Sequence, residues 1–502
     1  MSPSSRSASF LLLMMACTGK SAGLPDDDSA ATGPTDTGPH DSAEDTDSGP
    51  DTDTDTAEDT DTGQETDPNI DPACPWVGDA AADRKFCADS TLEMLFRATT
   101  ADVDGQPDED LLFLTVSSEL TTVVRAIKGP LGEGTSRLAD THARISGHEF
   151  SGATDMAFGD VTGDGTLDVV ITELAYRIED VARGPVTILS TPLEGELSLD
   201  DAPLYFDFSG TIAYSGFGIM VEDFDHDGQD DVVTTSVEVG DPVPPGTPMV
   251  SFHMGPIVAP EPYDGGDVVW TFEEWGYSCD PGSGARASDL DGDGIMDMAV
   301  PCPDLGVVHI VPGPITPGIG RESAIELGGS GPDSDDLIGR IEIGDEDGDG
   351  YADVMLPYHE DRTYWHPIKR GPILDGDRMS DAERSVQIQW DDDYDSSLFI
   401  ADQDGDGGEE IVLTAAATEW ADRYENVYVV RSGGTGTMVL DDEAPDWVFR
   451  GESDDGDAYL TPDRAGDLNG DGFDDFVITD SRSFYWSAPD ESYAYIFFGP
   501  LF

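Results

Sequence analysis

A nine-residue acidic loop that closes on a short apolar run occurs seven times, and this repeat limits what the chain can fold into more than any other feature. The copies are DVDGQPDED from Asp102, DVTGDGTLD from Asp160, DFDHDGQDD from Asp223, DLDGDGIMD from Asp289, DEDGDGYAD from Asp345, DQDGDGGEE from Asp402 and DLNGDGFDD from Asp467. Their first residues lie 58, 63, 66, 56, 57 and 65 positions apart. Oxygen side chains at positions 1, 3, 5 and 9 of a tight turn, with glycine at 6 to permit the reversal, suit a hard cation that takes six to eight oxygen ligands. Calcium is therefore the expected cofactor, about six or seven ions in all.

The expected ligands are Asp160, Thr162, Asp164 and Asp168 in loop two, and Asp223, Asp225, Asp227 and Asp231 in loop three. Loop four offers Asp289, Asp291, Asp293 and Asp297, and loop five Asp345, Asp347, Asp349 and Asp353. Loop six offers Asp402, Asp404, Asp406 and Glu410, and loop seven Asp467, Asn469, Asp471 and Asp475. Thr162 and Asn469 lower the charge of their loops without removing an oxygen. Loop one can be read in two registers. In one, Gln106 and Pro107 take the places of the acid at 5 and the glycine at 6, with Asp102, Asp104 and Asp110 at 1, 3 and 9. In the other, Asp102, Asp104, Gly105 and Asp108 stand at 3, 5, 6 and 9, and the loop starts on Thr100.

The residues after each loop exclude an EF-hand, which needs a bidentate Glu at position 12 and then a helix. Position 12 here is Phe113, Ile171, Thr234, Val300, Leu356, Leu413 or Ile478. The runs after position 9 are short, apolar and rich in β-branched residues, as in a strand buried on both faces. A second run downstream usually ends in Gly-Pro and Leu or Ile, as in VSFHMGPI ending at Ile257 and VVHIVPGPI at Ile315; the sixth copy departs, with VYVVRSGG ending at Gly434. A third run precedes most of the next loops, such as VVWTF from Val268. With a short strand before each loop, every repeat of about sixty residues holds four strands. Seven such units predict an all-β, seven-bladed propeller.

The loops resemble those of FG-GAP repeats, the unit of the propeller at the head of integrin alpha chains, over about Ala82 to Phe502. The resemblance implies a cation in the turn between the first and second strands of each blade, held by side chains at 1, 3, 5 and 9 and a backbone carbonyl at 7. The name-giving pieces are eroded: Phe217-Gly218 and Ile338-Gly339 only echo the first, and Val300-Pro301-Cys302-Pro303 stands in place of the second.

The N-terminus resembles a bacterial lipoprotein signal: Arg6, the apolar stretch Phe10 to Ala16, then Cys17 as the lipidated residue. Residues 1–16 are expected to be the signal peptide, 17–73 an Asp/Thr-rich disordered linker and 74–502 the propeller. The linker has almost nothing to bury; its coil dimension is roughly 40 Å and its extended limit roughly 180 Å. The protein is expected to be lipid-anchored to the bacterial envelope, at the outer membrane or cell surface, or otherwise secreted. The four remaining cysteines, Cys74, Cys87, Cys279 and Cys302, fit an oxidising compartment, and sequence-near pairs are the simplest of three connectivities.

A formal net charge of -82 on 502 residues excludes nucleic acid as a partner and leaves the lipid as the link to a membrane. The eight histidines form no HExxH, and no GxSxG or phosphate-binding loop occurs. Three readings are open: a binding or adhesion propeller for a protein or glycan ligand, a polysaccharide lyase or hydrolase, or a structural surface protein, with the non-enzymatic binding role preferred. In a propeller the loops from second to third strands open on the face opposite the cation turns. Here they carry Tyr176, Arg177, Trp420, Arg423, Tyr424, Tyr485 and Trp486, together with Tyr358, Tyr364 and Trp365. Aromatic and arginine side chains are the usual anchors of interfaces and stack on sugars. Blade seven lacks an outer strand before the chain stops, and the segment Ala82 to Asp89 is expected to supply it, with a Cys74–Cys87 disulfide fixing its approach.

Overall fold

The computed structural model describes residues 74, 82–88, 93–117, 122–138, 141–147, 151–175, 186–207, 215–236, 249–262, 266–271, 279, 284–302, 306–328, 341–360, 363–389, 398–416, 425–440, 445–450, 460–480 and 492–501. All lie in a compact unit spanning 69–502. The apolar runs after the loops are the second strands of seven sheets: Asp110–Ser117, Asp168–Ala175, Asp231–Ser236, Asp297–Cys302, Asp353–Met355, Glu410–Ala416 and Asp475–Asp480. Each pairs antiparallel with an inner strand before the loop and with a third strand after it. The outer strand completes each blade, as at Val268–Thr271 or Trp447–Arg450. Position 9 is the first residue of every second strand, so its side chain starts from a paired and buried backbone.

The apolar core is divided among the junctions between blades. Among the described residues seven buried clusters occur, and each draws residues from two neighbouring blades. One joins Phe252 and Trp270 of blade three to Met298 and Val300 of blade four; another joins Leu111 and Phe113 of blade one to Val477 and Ile496 of blade seven. A blade alone would leave both of its faces wet, which is why the units come in a closed ring.

Closure uses the expected segment. Arg84–Cys87 pairs antiparallel with Tyr493–Phe497, in the register Arg84 to Ile496 and Cys87 to Tyr493, and forms the outer strand of blade seven. Phe86 packs edge-on to Phe113 of blade one, with ring centroids 5.7 Å apart. The Cys74–Cys87 disulfide secures this strand, and Cys279–Cys302 is the second bridge. On the inner strands, Arg97 of blade one stands between Asp155 of blade two at 2.6 Å and Asp463 of blade seven at 3.6 Å. One guanidinium thus spans both junctions of blade one.

Four blades carry a fifth strand that four-stranded repeats do not foretell. Gly134–Arg137, Gly195–Ser198, Glu261–Pro262 and Gly436–Val439 each leave their own repeat and pair parallel with the outer strand of the preceding blade. The segment comes after the turn that ends the third strand and covers an edge that would otherwise present unpaired backbone groups. Among the described residues, no helix is long and apolar enough to cross a membrane.

The closing strand belongs to no repeat, so its loss is expected to open the ring. Removing residues 1–72 should leave the melting temperature unchanged, whereas removing 1–89 deletes the strand and a disulfide and should lower it by more than about 5 °C. Calorimetry of the two truncations checks this; equal melting would show that blade seven closes without the strand.

Candidate functional site

Loops two to seven each turn through two positive-φ residues, one at position 4 and one at position 6. Position 4 is glycine in every loop but the third, where His226 adopts φ 62°, and position 6 is glycine at φ 86–96° in loops two to seven. Within the turn the carboxylates are aimed by backbone N–H groups. In loop four Asp289 accepts from Gly292, Asp293 and Gly294, Asp291 accepts from Asp293, and Asp293 accepts from Ile295. These bonds fix the orientation of each carboxylate. Ligand oxygens from positions 1, 3 and 9 lie within 4.8 Å of one another in Asp223/Asp225/Asp231, Asp289/Asp291/Asp297 and Asp345/Asp347/Asp353. The residues at position 5, Asp164, Asp227, Asp293, Asp349, Asp406 and Asp471, sit exposed at the rim.

The structure settles the register of loop one. Gly105 has φ 78° and aligns with the position 4 glycines, and the oxygens that converge belong to Asp102, Asp104 and Asp110. Asp108 therefore falls at position 7, outside that cluster; the register starting on Thr100 is not the one adopted.

The position 9 carboxylate does more than face the cation site. In six loops one of its oxygens accepts the N–H of position 2: Asp110 from Val103, Asp231 from Phe224, Asp297 from Leu290, Asp353 from Glu346, Glu410 from Gln403 and Asp475 from Leu468. Its other oxygen accepts the N–H of the turn that ends the third strand, from Gly129, Gly255, Gly313, Gly371, Ser432 and Gly499 respectively. Burial pushes the carboxyl of Asp231 and of Asp297 up to about 6, and of Asp353 and Asp475 up to about 7. Asp110 and Glu410 move upward for the same reason.

Blade two departs in an instructive way. Thr191 replaces the glycine of the turn, and both its N–H and its Oγ1 bond to the carbonyl of Leu167, which leaves Asp168 Oδ1 buried without a hydrogen-bond partner. Thr162 Oγ1 in the same loop and Asp347 Oδ1 in loop five are likewise buried and unpartnered. Buried oxygens without donors are costly unless something else meets them. The donor set is all oxygen and largely anionic, which fits a hard divalent cation such as calcium.

Loop five adds a network that its sequence did not announce. Position 2, apolar in five other loops, is Glu346, fully buried and paired with Arg384 and, at 2.9 Å, with Arg370. Arg370 Nη2 also donates to the carbonyl of Gly434 at 2.7 Å, and a Cβ at Gly434 would run into the Arg384 guanidinium. The missing proline of the sixth Gly-Pro turn thus coincides with two arginines filling the space beneath it.

Of the ligand-face candidates, Tyr176, Arg177, Trp420, Arg423, Tyr424, Tyr485 and Trp486 lie outside the described residues, as does Cys17. Tyr364 is buried, whereas Tyr358 and Trp365, directly opposed across a hairpin of blade five, are half-buried and stack with ring planes 4° apart. No protein-family model matches the chain, and no curated protein does. Solved structures similar to it include a DUF4623 family protein from Bacteroides eggerthii DSM 20697, at 11% identity over 81% of this chain and 87% of that one, with a TM-score of 0.30. NanB, solved as "NanB plus Optactamide", is 10% identical over 80% and 84%, with a TM-score of 0.32. The subtype N10 neuraminidase-like protein of A/little yellow-shouldered bat/Guatemala/060/2010 is 8% identical over 84% and 98%, with a TM-score of 0.30. The propeller assignment rests on the seven sheets themselves.

The raised carboxyls set a pH dependence for the cation-free ring. A carboxyl whose folded value is raised stabilises the fold fully below its unfolded value near 4, and that contribution is lost as pH rises through 6 to 7. A cation offsets the loss by meeting the ionised form. The gain in melting temperature from millimolar calcium over chelator is expected to increase from about pH 5 to about pH 8. His253 and His366, which burial lowers to about 4, affect both samples alike and cancel in the difference. A gain that is constant across this range would show that position 9 does not meet the ion.

Proposed function

We propose that this protein is a calcium-stabilised binding propeller, held at the envelope surface by its acidic linker, that recognises a protein or glycan ligand through the face opposite the cation loops. The observation that carries the reading is the buried, doubly hydrogen-bonded carboxylate at position 9, repeated with the same partners in six blades and joined by convergent oxygens in loops three, four and five. An ion there stabilises the blade junction and leaves the opposite face free. Affinities in the range of extracellular modules, on the order of 0.1 to 1 mM, suit a compartment where calcium is abundant. The two disulfides fit an extracellular or periplasmic location.

The Tyr358–Trp365 pair supports a ligand role for the opposite face: two parallel rings, each partly open to solvent, offer a flat apolar platform. A glycan and protein array probed in calcium and in chelator tests this directly. A specific hit that Trp365→Ala weakens by about tenfold or more, with unchanged melting, is the expected result. Retention of full affinity in that variant and in Trp420→Ala and Tyr485→Ala would remove this face from consideration.

Anchoring has its own test. Cys17→Ala is expected to move the protein from the membrane fraction of its host to the soluble one; a wild-type protein that is already soluble would show that Cys17 carries no lipid.

A further inference from the structure

Loop one differs from the other six in three coupled ways. Its position 5 is Gln106, so the rim carboxylate is replaced by an amide. Position 6 is Pro107, which has no N–H. In loops two to seven the N–H of the position 6 glycine donates to the position 1 carboxylate. Asp102 receives only the N–H of Gly105, so the clamp that aims the first ligand is incomplete.

The third difference lies in the residue before the Gly-Pro turn. It is Ser190, Met254, Pro312, Arg370 and Phe498 in other repeats, Arg431 in the sixth, where it pairs with Asp446, and Lys128 in the first. The Lys128 ammonium is 2.7 Å from Asp104 Oδ2, and the Asp104 side chain is only 2% exposed. Asp104 Oδ1 accepts the N–H of Gln106 at 2.8 Å. Both oxygens of the position 3 carboxylate are therefore engaged. The corresponding Asp291 accepts one backbone N–H on Oδ1, and among the described residues no cationic side chain lies against it. Asp110 accepts two backbone N–H groups, as position 9 does in five other loops, so what sets this cluster apart is the ammonium at position 3.

Given the calcium reading of the other loops, we infer that loop one is a metal-free member of the ring, in which the ammonium of Lys128 takes the place of the cation. A lysine is a compact charge on a flexible stem and can enter an oxygen cluster that a rigid side chain could not. Arg370 in loop five is a different case: its Nε lies 3.2 Å from Asp347 Oδ2, but Asp347 Oδ1 stays unpartnered, and the arginine is mainly committed to Glu346. Asp347 Oδ1 in loop five meets no protein donor, whereas in loop one a full positive charge already lies against Asp104 Oδ2.

The test is equilibrium dialysis of the full chain against radioactive calcium at a few millimolar, with sodium chloride high enough to suppress loose binding to the acidic surface. Asp291→Asn should lower the bound count by one, and Asp104→Asn should leave it unchanged. In melting experiments Lys128→Gln should lower stability equally in calcium and in chelator, whereas Asp291→Asn should do so only in calcium. A triple variant, Gln106→Asp with Pro107→Gly and Lys128→Gln, should gain one ion. A count that falls by one in Asp104→Asn, or a Lys128→Gln loss that appears only in calcium, overturns the inference. No bound calcium in wild type would overturn the calcium reading instead, and the two failures are distinct.

Discussion

The ring depends on one hydrogen bond repeated seven times. The residue after each Gly-Pro turn, or its counterpart in the sixth repeat, donates its N–H to the carbonyl at position 2 of the preceding blade's acidic loop: Leu131 to Leu468, Leu193 to Val103, Ile257 to Val161, Ile315 to Phe224, Ile373 to Leu290, Gly433 to Glu346 and Leu501 to Gln403. In six loops the N–H of that position 2 residue goes to the position 9 carboxylate, whose other oxygen holds the turn that reaches back to the preceding loop. Loop, turn and junction are thus links of one hydrogen-bonded circuit. The side chains that enter it, such as Leu131, Leu193 and Ile315, also belong to the junction cores.

Crowding along this circuit explains residues that look incidental in the sequence. A Cβ on the glycine before the proline would press on the backbone carbonyl of position 8, as at Gly129 with Glu109 and Gly255 with Asp230. A second correlation involves the residue before position 1. It is glycine at Gly159, Gly344 and Gly466, and in each case the next blade has an acid at position 8 pressed against it: Asp230, Glu409 and Glu109. Asp230 and Glu409 accept the N–H of Asp160 and Asp345 respectively, both at 2.7 Å. The paired acids at 8 and 9 therefore divide the work, with the first stapling the neighbouring blade and the second facing its own loop. Glycine is needed because no side chain fits between the staple and its target.

Much of this was legible because repetition multiplies weak signals. One oxygen-rich turn says little; seven, each leading into a short apolar run, specify the strand order, and the missing outer strand of blade seven pointed to Arg84–Cys87 and its disulfide. What stayed hidden was set by contacts between segments distant in the sequence, within one repeat or across two, where the chain's own periodicity is silent. The parallel fifth strands such as Gly195–Ser198 come from a segment with no strand pattern, paired because it passes an exposed edge. Glu346 read as one more acid in an acidic loop, and only the approach of Arg370 and Arg384 from their own strands shows it to be buried and paired. The register of loop one was ambiguous for the same reason, since its decisive partner, Gly129, lies 19 residues beyond Asp110.

The circuit gives charge neutralisation a direction. Whatever meets the position 9 carboxylate in one loop holds the position 2 peptide of that loop, and the carbonyl of that peptide receives the next blade. A charge placed in loop n therefore bears on the junction between blades n and n + 1. Lys128 meets Asp104 at position 3 of loop one, the loop whose position 2 carbonyl, that of Val103, receives Leu193 of blade two. The junction of blades seven and one is governed instead by loop seven, through Leu131 and Leu468, and is reinforced by the outer strand, the Phe86–Phe113 contact and Arg97. That is the junction at which a linear chain must become a ring, and strand pairing, aromatic packing and an ion pair all meet there without any need of an ion. Each blade buries a position 9 carboxylate, a cost that a bound cation would offset. The closing junction is held in addition by backbone strand pairing, the Phe86–Phe113 contact and the Cys74–Cys87 disulfide, none of which involves an acidic loop.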